Sequence, residues 1–575
     1  MKFCLTTENL LFKLSFLLLM SEFYPELLKI LLRRNLSLKE FDQIKRDLSR
    51  KYNLKEVPTN IQILLHANKQ EAVKLRPFLL SKPVRSLSGV APVAIMTQPF
   101  PCPHGKCIMC PGGVKSAFGN VPQSYTGTEP ATMRGIHNDY DPYLQVMNRL
   151  EQYILLGHNC EKVELIVMGG TFPSFPKPYQ EKFIKFAFKA MNDFSQQFYY
   201  RGELNYLKFK QFFELPAPPN DTTRIKRVKK KMLALKGRSS LIKEQKRNET
   251  STIKAVALCI ETRPDYGLLI QGNEMLRLGC TRVELGIQSV YDKTLQRIQR
   301  GHTTLQTQQS IQILKDLGFK VAGHYMPGLP GLSKEEDLKG MIRLFSDQNY
   351  RPDMLKIYPC MVAKGTKLYK EYQQGKFKPL VAEDAAEMIF KFKKYVPEYC
   401  RIMRIQRDIP STQIVAGVKM TNLRQYLHQT YPVNCRCIRC REPKGHKISW
   451  KDIKIKVNEY DASQGEEFFI SAEDIKNDLL IGFIRMRFPS TLLRKEITKN
   501  SALIRELHVY GTATAIGEEG TVQHRGWGKK LMKTAEEIAR KYSKTRMVII
   551  SGIGVRNYYR KLGYRLEGPY MIKKI

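Results

Sequence analysis

Two short cysteine runs and one glycine-bearing turn have the residue types and spacings that could do chemistry. In Cys102-Pro-His-Gly-Lys-Cys107-Ile-Met-Cys110 three thiols are spaced C-x4-C-x2-C on one loop, close enough to hold a single metal centre. The next cysteine, Cys160, lies beyond a helix-like stretch, so the run offers three ligands rather than four. Three thiolates leave one iron of a [4Fe-4S] cubane open to a small chelating molecule; structural zinc held by the same thiols and His104 is the alternative. Cys435-Arg-Cys437-Ile-Arg-Cys440 crowds three more thiols into a spacing suited to zinc, with His446 or His428 as fourth ligand; a second iron-sulfur cluster is the alternative. Gln523-His524-Arg525-Gly526-Trp527-Gly528 precedes a helical stretch, and a glycine turn opening a helix aims backbone N–H groups and the positive dipole end at an anion such as pyrophosphate. Glu506 and His508 alternate on a strand and share one face, from which either could line a cleft beside that turn.

The elements that must position these groups follow from the apolar pattern. Residues 86–410 alternate short apolar runs (90–96, 163–168, 255–260, 283–287, 321–326) with longer amphipathic stretches. Buried parallel strands read as such runs, which predicts an α/β fold with a partial (β/α) barrel and a site at the C-terminal strand ends. Gly169-Gly170-Thr171, Glu261-Thr262-Arg263 and Gln288 fall at or just past those ends, as does the strand-like segment with Lys356 and Tyr358. Residues 411–447 read as a cysteine-bearing linker, and 448–575 as a second α/β unit with a helix marked by Leu531, Met532, Ala535, Ile538 and Ala539. Residues 20–85 read as a basic helical extension, with a capping box predicted from Ser37 and Glu40. Residues 1–19 carry an apolar stretch, 10–20, too short to span a bilayer; Met20 is expected to be the true start.

Composition narrows the partners. The 575 residues suffice for about three to four domains. Lys plus Arg number 95 against 54 Asp plus Glu, and a net charge of +41 points to a polyanion, with nucleic acid first. Residues 224–247 hold eleven Lys/Arg against one acid, Glu244, and are expected to be mobile alone and to supply sequence-independent phosphate affinity. Twelve cysteines, six of them in the two clusters, fit metal binding in a reducing, cytoplasmic compartment better than a disulfide framework.

Taken together, the cysteine loop, Gly169-Gly170-Thr171, Glu261-Thr-Arg-Pro-Asp265 and Glu284-Leu-Gly286-Ile-Gln288-Ser289 resemble the radical S-adenosylmethionine (SAM) enzymes. The Q-x-x-G-x-G run and Tyr558-Tyr559-Arg-Lys-Leu-Gly563-Tyr564 resemble the GCN5-related (GNAT) acetyltransferases. The two in this order, after a basic extension, resemble the catalytic subunits of Elongator in their archaeal form. This is carried also by Gln123-Ser-Tyr-Thr-Gly127-Thr-Glu129-Pro130, Met326-Pro-Gly-Leu-Pro-Gly331 and Glu506-Leu-His-Val-Tyr-Gly511.

That resemblance implies a [4Fe-4S] cluster on Cys102, Cys107 and Cys110, and SAM bound near Gly169, Gly170, Thr171, Glu261, Arg263 and Gln288. It implies acetyl-CoA on Gln523, His524, Arg525, Gly526, Trp527 and Gly528. Tyr559, with Tyr558 beside it, would protonate the departing CoA thiolate, although core packing would equally explain the pair. Lys356 would line the barrel mouth. The implied reaction is C5 carboxymethylation of the wobble uridine in a tRNA anticodon stem-loop, fed by an electron donor, with companion subunits or a homodimer as open arrangements. Lysine acetylation of a basic protein with a structural cluster is the alternative, which the charge of +41 disfavours by repulsion.

Overall fold

The computed structural model describes residues 22–32, 36–54, 56–79, 89–218, 221–444, 446–510 and 526–575. The expected start at Met20, the Arg33-Arg34 pair and Gln523, His524 and Arg525 lie outside the described residues.

Seven segments form parallel strands: β1 (Ala91–Met96), β2 (Lys162–Met168), β3 (Lys254–Thr262), β4 (Arg282–Gln288), β5 (Lys320–Tyr325), β6 (Met354–Ile357) and β7 (Arg401–Ile405). Each pairs with the next in sequence, so the sheet curls into a partial (β/α) barrel with β1 and β7 at its edges. Helices on the connections cover it; the helix Lys334–Ser346 opens with a capping box between Ser333 and Glu336. The parallel register sets the inward-facing groups level with one another. Glu261 on β3 is opposite Glu284 on β4, and Lys356 on β6 lies between His324 on β5 and Arg404 on β7.

The C-terminal sheet runs β8 (Ile453–Ala462), β9 (Gly465–Asp474), β10 (Leu479–Phe488), β11 (Ser501–Val509), β12 (Arg546–Ile550), β13 (Arg565–Glu567) and β14 (Tyr570–Lys574), in the order β8-β9-β10-β11-β12-β14-β13. Leu531, Met532, Ala535 and Ala539 of the helix Trp527–Lys541 pack on Ile470, Ile484, Ile504 and Ile549 as one apolar core, which is why that stripe recurs at helical spacing. Its parallel pair, β11 and β12, is joined only over Ser501–Ile504 and Arg546–Ile549; the strands then part.

This sheet docks against the N-terminal ends of the barrel strands. Lys320, which starts β5, meets Glu506 at 2.7 Å; Asp353, just before β6, takes both Arg505 nitrogens at 2.7 Å; Arg401, starting β7, donates to the Tyr510 hydroxyl at 3.1 Å. Arg485, Arg487 and Arg505 are almost wholly buried, and each is paired with a carboxylate.

The chain divides into two compact units. The described residues up to 79, with 147–160 and 193–237, form one, and the remainder form the other. In the first, Ser37 and Glu40 make the predicted capping box, and Phe23, Leu27, Leu28 and Leu31 pack against Phe41, Leu48 and Ile63. The expectation that 224–247 is mobile is not met. Asp221 caps the helix Thr222–Lys236, whose Val228 and Met232 are buried and whose Arg224 pairs with Glu151 at 3.0 Å. Apolar residues four apart give the segment a buried face, which its charge count masks; Lys226, Arg227 and Lys230 stay exposed. The helix Leu241–Asn248 belongs to the second unit, where Glu244 accepts a hydrogen bond from Asn192 at 2.8 Å.

Candidate active site

One cavity at the C-terminal ends of the barrel strands gathers Cys102, Cys107, Cys110, Gly170, Thr171, Glu261, Arg263, Gln288 and Lys356. Residues far apart in sequence meet there because sequential parallel strands put every βα loop at the same end. Gly169, just outside the lining, has φ +122°, and a Cβ on it would lie 2.2 Å from Thr97 Oγ1, so the turn after β2 is closed to any side chain. Gln288 ends β4 at φ +68°, a conformation uncommon outside glycine and typical of sites that fix a side chain's direction.

The three thiols are held by polar neighbours. Gln123 Nε2 donates to Cys110 Sγ at 2.9 Å, Arg300 Nη1 to Cys107 Sγ at 3.7 Å, and Thr171 Oγ1 stands 3.5 Å from Cys102 Sγ. His104 Nε2 is 3.2 Å from Cys107 Sγ. Burial pushes the Cys102 and Cys107 thiols up, against the lowering by Arg300 at both and by Arg263 at Cys102. Their sulfurs, with or without His104, do not close to within 4.8 Å of one another, whereas those of Cys435, Cys437 and Cys440 do. The wider set suits a multi-iron cubane and the tighter one a single ion. Arg263 Nη1 and Gln288 Oε1 are buried beside the thiols with no hydrogen-bond partner in the protein, as a polar ligand such as SAM would require. The donor set therefore fits a three-cysteine cluster with SAM.

Below the thiols lies a charged belt that sequence reading resolves only at Glu261 and Lys356. Glu284 is fully buried; its Oε2 pairs with Lys356 and stands 2.7 Å from His324 Nε2, and Arg282 lies at 3.0 Å. Lys356 also reaches Glu261 at 3.3 Å, whose other oxygen accepts from Tyr125 at 3.3 Å. Burial pushes the Glu284 carboxyl up, but Lys356 and Arg282 outweigh it and hold it well below the usual carboxylate range. Burial likewise works against the Lys356 ammonium, yet Glu284, Tyr358 and Glu261 outweigh it, so the lysine stays charged. Glu261, Glu284 and His324 would otherwise form a cation site, but the Lys356 ammonium already stands among them. Glu284 stood in a quoted motif, and its two-residue offset from Gly286 could have marked it as facing inward. Tyr125 also stood in a quoted motif, 123–130; His324 and Arg300 carried no such signal.

In the second domain Gly526 caps the helix Trp527–Lys541 at φ +76° with open space where a Cβ would stand, and a Cβ on Gly528 would lie 2.9 Å from the Tyr558 hydroxyl. Tyr558 therefore stands at the helix N-terminus, while Tyr559 is sunk in the core with Tyr564 and is only 7% exposed. Glu506 is tied to Lys320 and Arg485, and His508 packs against Phe483 and Tyr510, where burial lowers its pKa to about 4. In the linker, neither His428 nor His446 closes on the three thiols; Lys393 Nζ lies 3.5 Å from Cys440 Sγ instead.

Three thiols without a fourth at the rim of a partial barrel are the arrangement of the radical SAM class, here joined to an acetyltransferase fold. Residues 220–345 match the radical SAM superfamily, 352–431 its C-terminal domain, 427–564 the acetyltransferase (GNAT) family and 20–87 the ELP3 N-terminal domain. A Methanocaldococcus infernus relative named tRNA uridine(34) acetyltransferase is 45% identical over 94% of this chain and 96% of its own length. Human Elongator complex protein 3 is 36% identical over 93% of each. The solved structure of archaeal Elp3 from M. infernus lacking residues 1–46 aligns with a TM-score of 0.69 at 40% identity, covering 85% of this chain and all of that one. The chain belongs to the Elongator complex protein 3 family. No helix among the described residues is long and apolar enough to cross a membrane.

Proposed function

We propose that the chain carboxymethylates C5 of the wobble uridine of tRNA, with the methyl carbon of acetyl-CoA as the carbon donor. The observation that carries this reading is the single cavity in which three cysteine thiols, the turn at Gly170 and Thr171, and the Glu261–Lys356–Glu284 belt converge. The relatives named for uridine 34, matched along nearly the whole chain, support the substrate.

When bound, the cluster and SAM supply a carbon-centred radical able to take hydrogen from the acetyl methyl. Cys102, Cys107 and Cys110 hold the cluster; Arg263 and Gln288, with their unpartnered polar atoms, hold SAM. Lys356, kept charged between two glutamates, would donate to a carbonyl of the uracil ring, and Tyr358 and Arg407 line the same cavity. A single-stranded anticodon base can leave its stack at little cost to reach such a pocket. The acetyl methyl carbon would replace the C5 hydrogen of uridine: the methyl gives up a hydrogen atom, C5 gives up a proton, and the one electron left over would return to the cluster, so that SAM is the net oxidant; hydrolysis of the thioester then frees the carboxylate.

Gly526, Trp527 and Gly528 would receive the CoA pyrophosphate at the helix N-terminus, with Gln523, His524 and Arg525 completing the turn. Tyr558, whose hydroxyl stands over Gly528, is the better placed of the tyrosine pair to protonate the CoA thiolate. Lys320, paired with Glu506 of the second domain, and His324 of the belt lie four positions apart on β5, about 13 Å along the strand. Cys435, Cys437 and Cys440 would hold zinc as a brace of the linker, and the exposed cations of 222–236 would hold tRNA phosphates.

Anaerobic reconstitution with SAM, acetyl-CoA and tRNA, read as nucleoside masses, tests the proposal. A carboxymethyluridine mass that follows isotope label from the acetyl group is expected. Deoxyadenosine release with unmodified uridine would refute it.

A further inference from the structure

Before SAM can be split at the three-cysteine loop the cluster must be brought to its reduced state by an electron from outside, and electron transfer weakens steeply with distance. The carrier must therefore seat over the loop. The tip of the loop is exposed: Gly105 and Lys106 face solvent, one residue from Cys107, and His104 stands between that tip and the Cys107 sulfur. Two helices are hydrogen-bonded to the same loop. Ile108 N–H donates to Ile298 O at 3.1 Å, just past the helix Asp292–Arg297, and Leu368 N–H of the helix Lys367–Gln373 donates to Ile108 O at 2.9 Å. The pair is locked by Arg297 with Glu371 at 2.6 Å and by Lys367 with Gln299 at 3.0 Å. Both helices are thus tied to the loop at Ile108, the residue next to Cys107.

The charge of this face, the loop tip with its two helices, is lopsided. Residues 292–299 and 364–378 with Lys106 carry eight Lys/Arg against Asp292 and Glu371, with Glu336 pairing one of them, Lys293, at 2.8 Å, still a steeper ratio than the 95 to 54 of the whole chain. Lys106, Lys364 and Lys370 are exposed, with no acidic partner among the described residues. Helix propensity does not require this, and the apolar residues beneath (Ile108, Ile298, Leu368) already account for packing. Electron-transfer encounters are small, below about 1,200 Å² in total, and rely on charge steering more than on apolar burial.

We propose that this face is the docking site of a small acidic one-electron carrier protein. One electron passes from the carrier's reduced cofactor to the cluster; the carrier is oxidised by one electron, and no bond or proton moves. The inference rests on the cluster assignment made above. Nucleic acid is the competing polyanion, but the basic helix Thr222–Lys236 already offers phosphates a site that no redox role claims.

The test uses the full chain, reconstituted with iron and sulfide, and reduced flavodoxin as the probe. Cluster reduction is followed by absorbance and binding by calorimetry, across a salt series. For the wild-type chain the second-order rate should fall steeply as salt rises, which needs no variant to observe. In the double variant Lys364→Glu with Lys370→Glu it should drop about tenfold or more at low salt, with a flatter salt slope and a weaker Kd. Reduction by dithionite and the Kd for tRNA should stay as in wild type. Equal flavodoxin rates and Kd in both proteins would overturn the docking site alone. A tRNA affinity lost with flavodoxin binding intact would assign the face to nucleic acid. A chain that takes up no iron would sink the cluster assignment, and the docking site with it.

Discussion

Removing Asp353 should break the seam between the barrel and the C-terminal sheet. Its carboxylate is completely buried, takes two hydrogen bonds from Arg505 at 2.7 Å and one from the Val321 N–H at 2.8 Å, and has Arg485 at 3.6 Å and Lys315 at 3.9 Å. Burial pushes it up, but Arg505 and Lys315 outweigh that and hold it far below the usual range. Around it stand five cations (Lys315, Lys320, Arg485, Arg487, Arg505) and four anions (Asp316, Asp353, Glu467, Glu506), an excess of one. Asp353→Ala doubles that excess where water cannot screen it, and leaves the Val321 N–H unpaired. Breaking a buried pair in this way costs about 3–5 kcal/mol. Asp353→Asn keeps acceptors for Val321 and one Arg505 nitrogen and should cost less. The assay is urea unfolding read by fluorescence of Trp450 and Trp527, the only two tryptophans, both C-terminal to the barrel. With a slope of about 3 kcal/mol/M the alanine variant should lower the midpoint of that transition by roughly 1 M or more. A shift below about 0.2 M would refute the claim that this network fastens the domains.

Asp337 gives a pH dependence with a definite sign. Burial pushes its carboxyl up to about 6 despite donors from Gly328 and Tyr325, so its contribution to stability is full below the unfolded value near 3.8 and is lost as pH rises through 6. Asp337→Asn should remove that loss, about 3 kcal/mol in order of magnitude, and raise the thermal midpoint at pH 8 relative to wild type; a lower midpoint at pH 8 would contradict it. Gly526→Glu should abolish CoA binding by putting a carboxylate where the pyrophosphate would lie; unchanged CoA affinity by calorimetry would remove that assignment. Lys226→Gln with Lys230→Gln should weaken tRNA binding and reduce the log–log salt slope by about 0.7–0.9 per lost phosphate contact; an unchanged slope would move the tRNA surface elsewhere.

Much of the fold was legible because buried parallel strands are written as apolar runs: five of the seven barrel strands were seen that way and a sixth as the strand-like segment with Lys356 and Tyr358. The seventh, Arg401-Ile-Met-Arg-Ile405, hides because Arg401 and Arg404 interrupt the run; Arg401 pairs with Glu442, far along the chain, and Arg404 with the nearby Asp408. The glycine turns were readable since only glycine fits a positive φ hard against Thr97. His324 and the interface arginines were not, because a lone histidine or a buried arginine acquires its meaning from register and from carboxylates that only the tertiary fold brings near. The basic segment 224–247 misled for a related reason. Counting charge hides Val228 and Met232, which decide that it folds.

The most direct test is spectroscopy of the oxygen-free chain. Iron analysis with electron paramagnetic resonance should find one [4Fe-4S] cluster lost on replacing Cys102, Cys107 or Cys110, with a signal that changes when SAM is added. Zinc alone at those cysteines, or a cubane whose signal ignores SAM because side chains cap all four irons, would contradict the account.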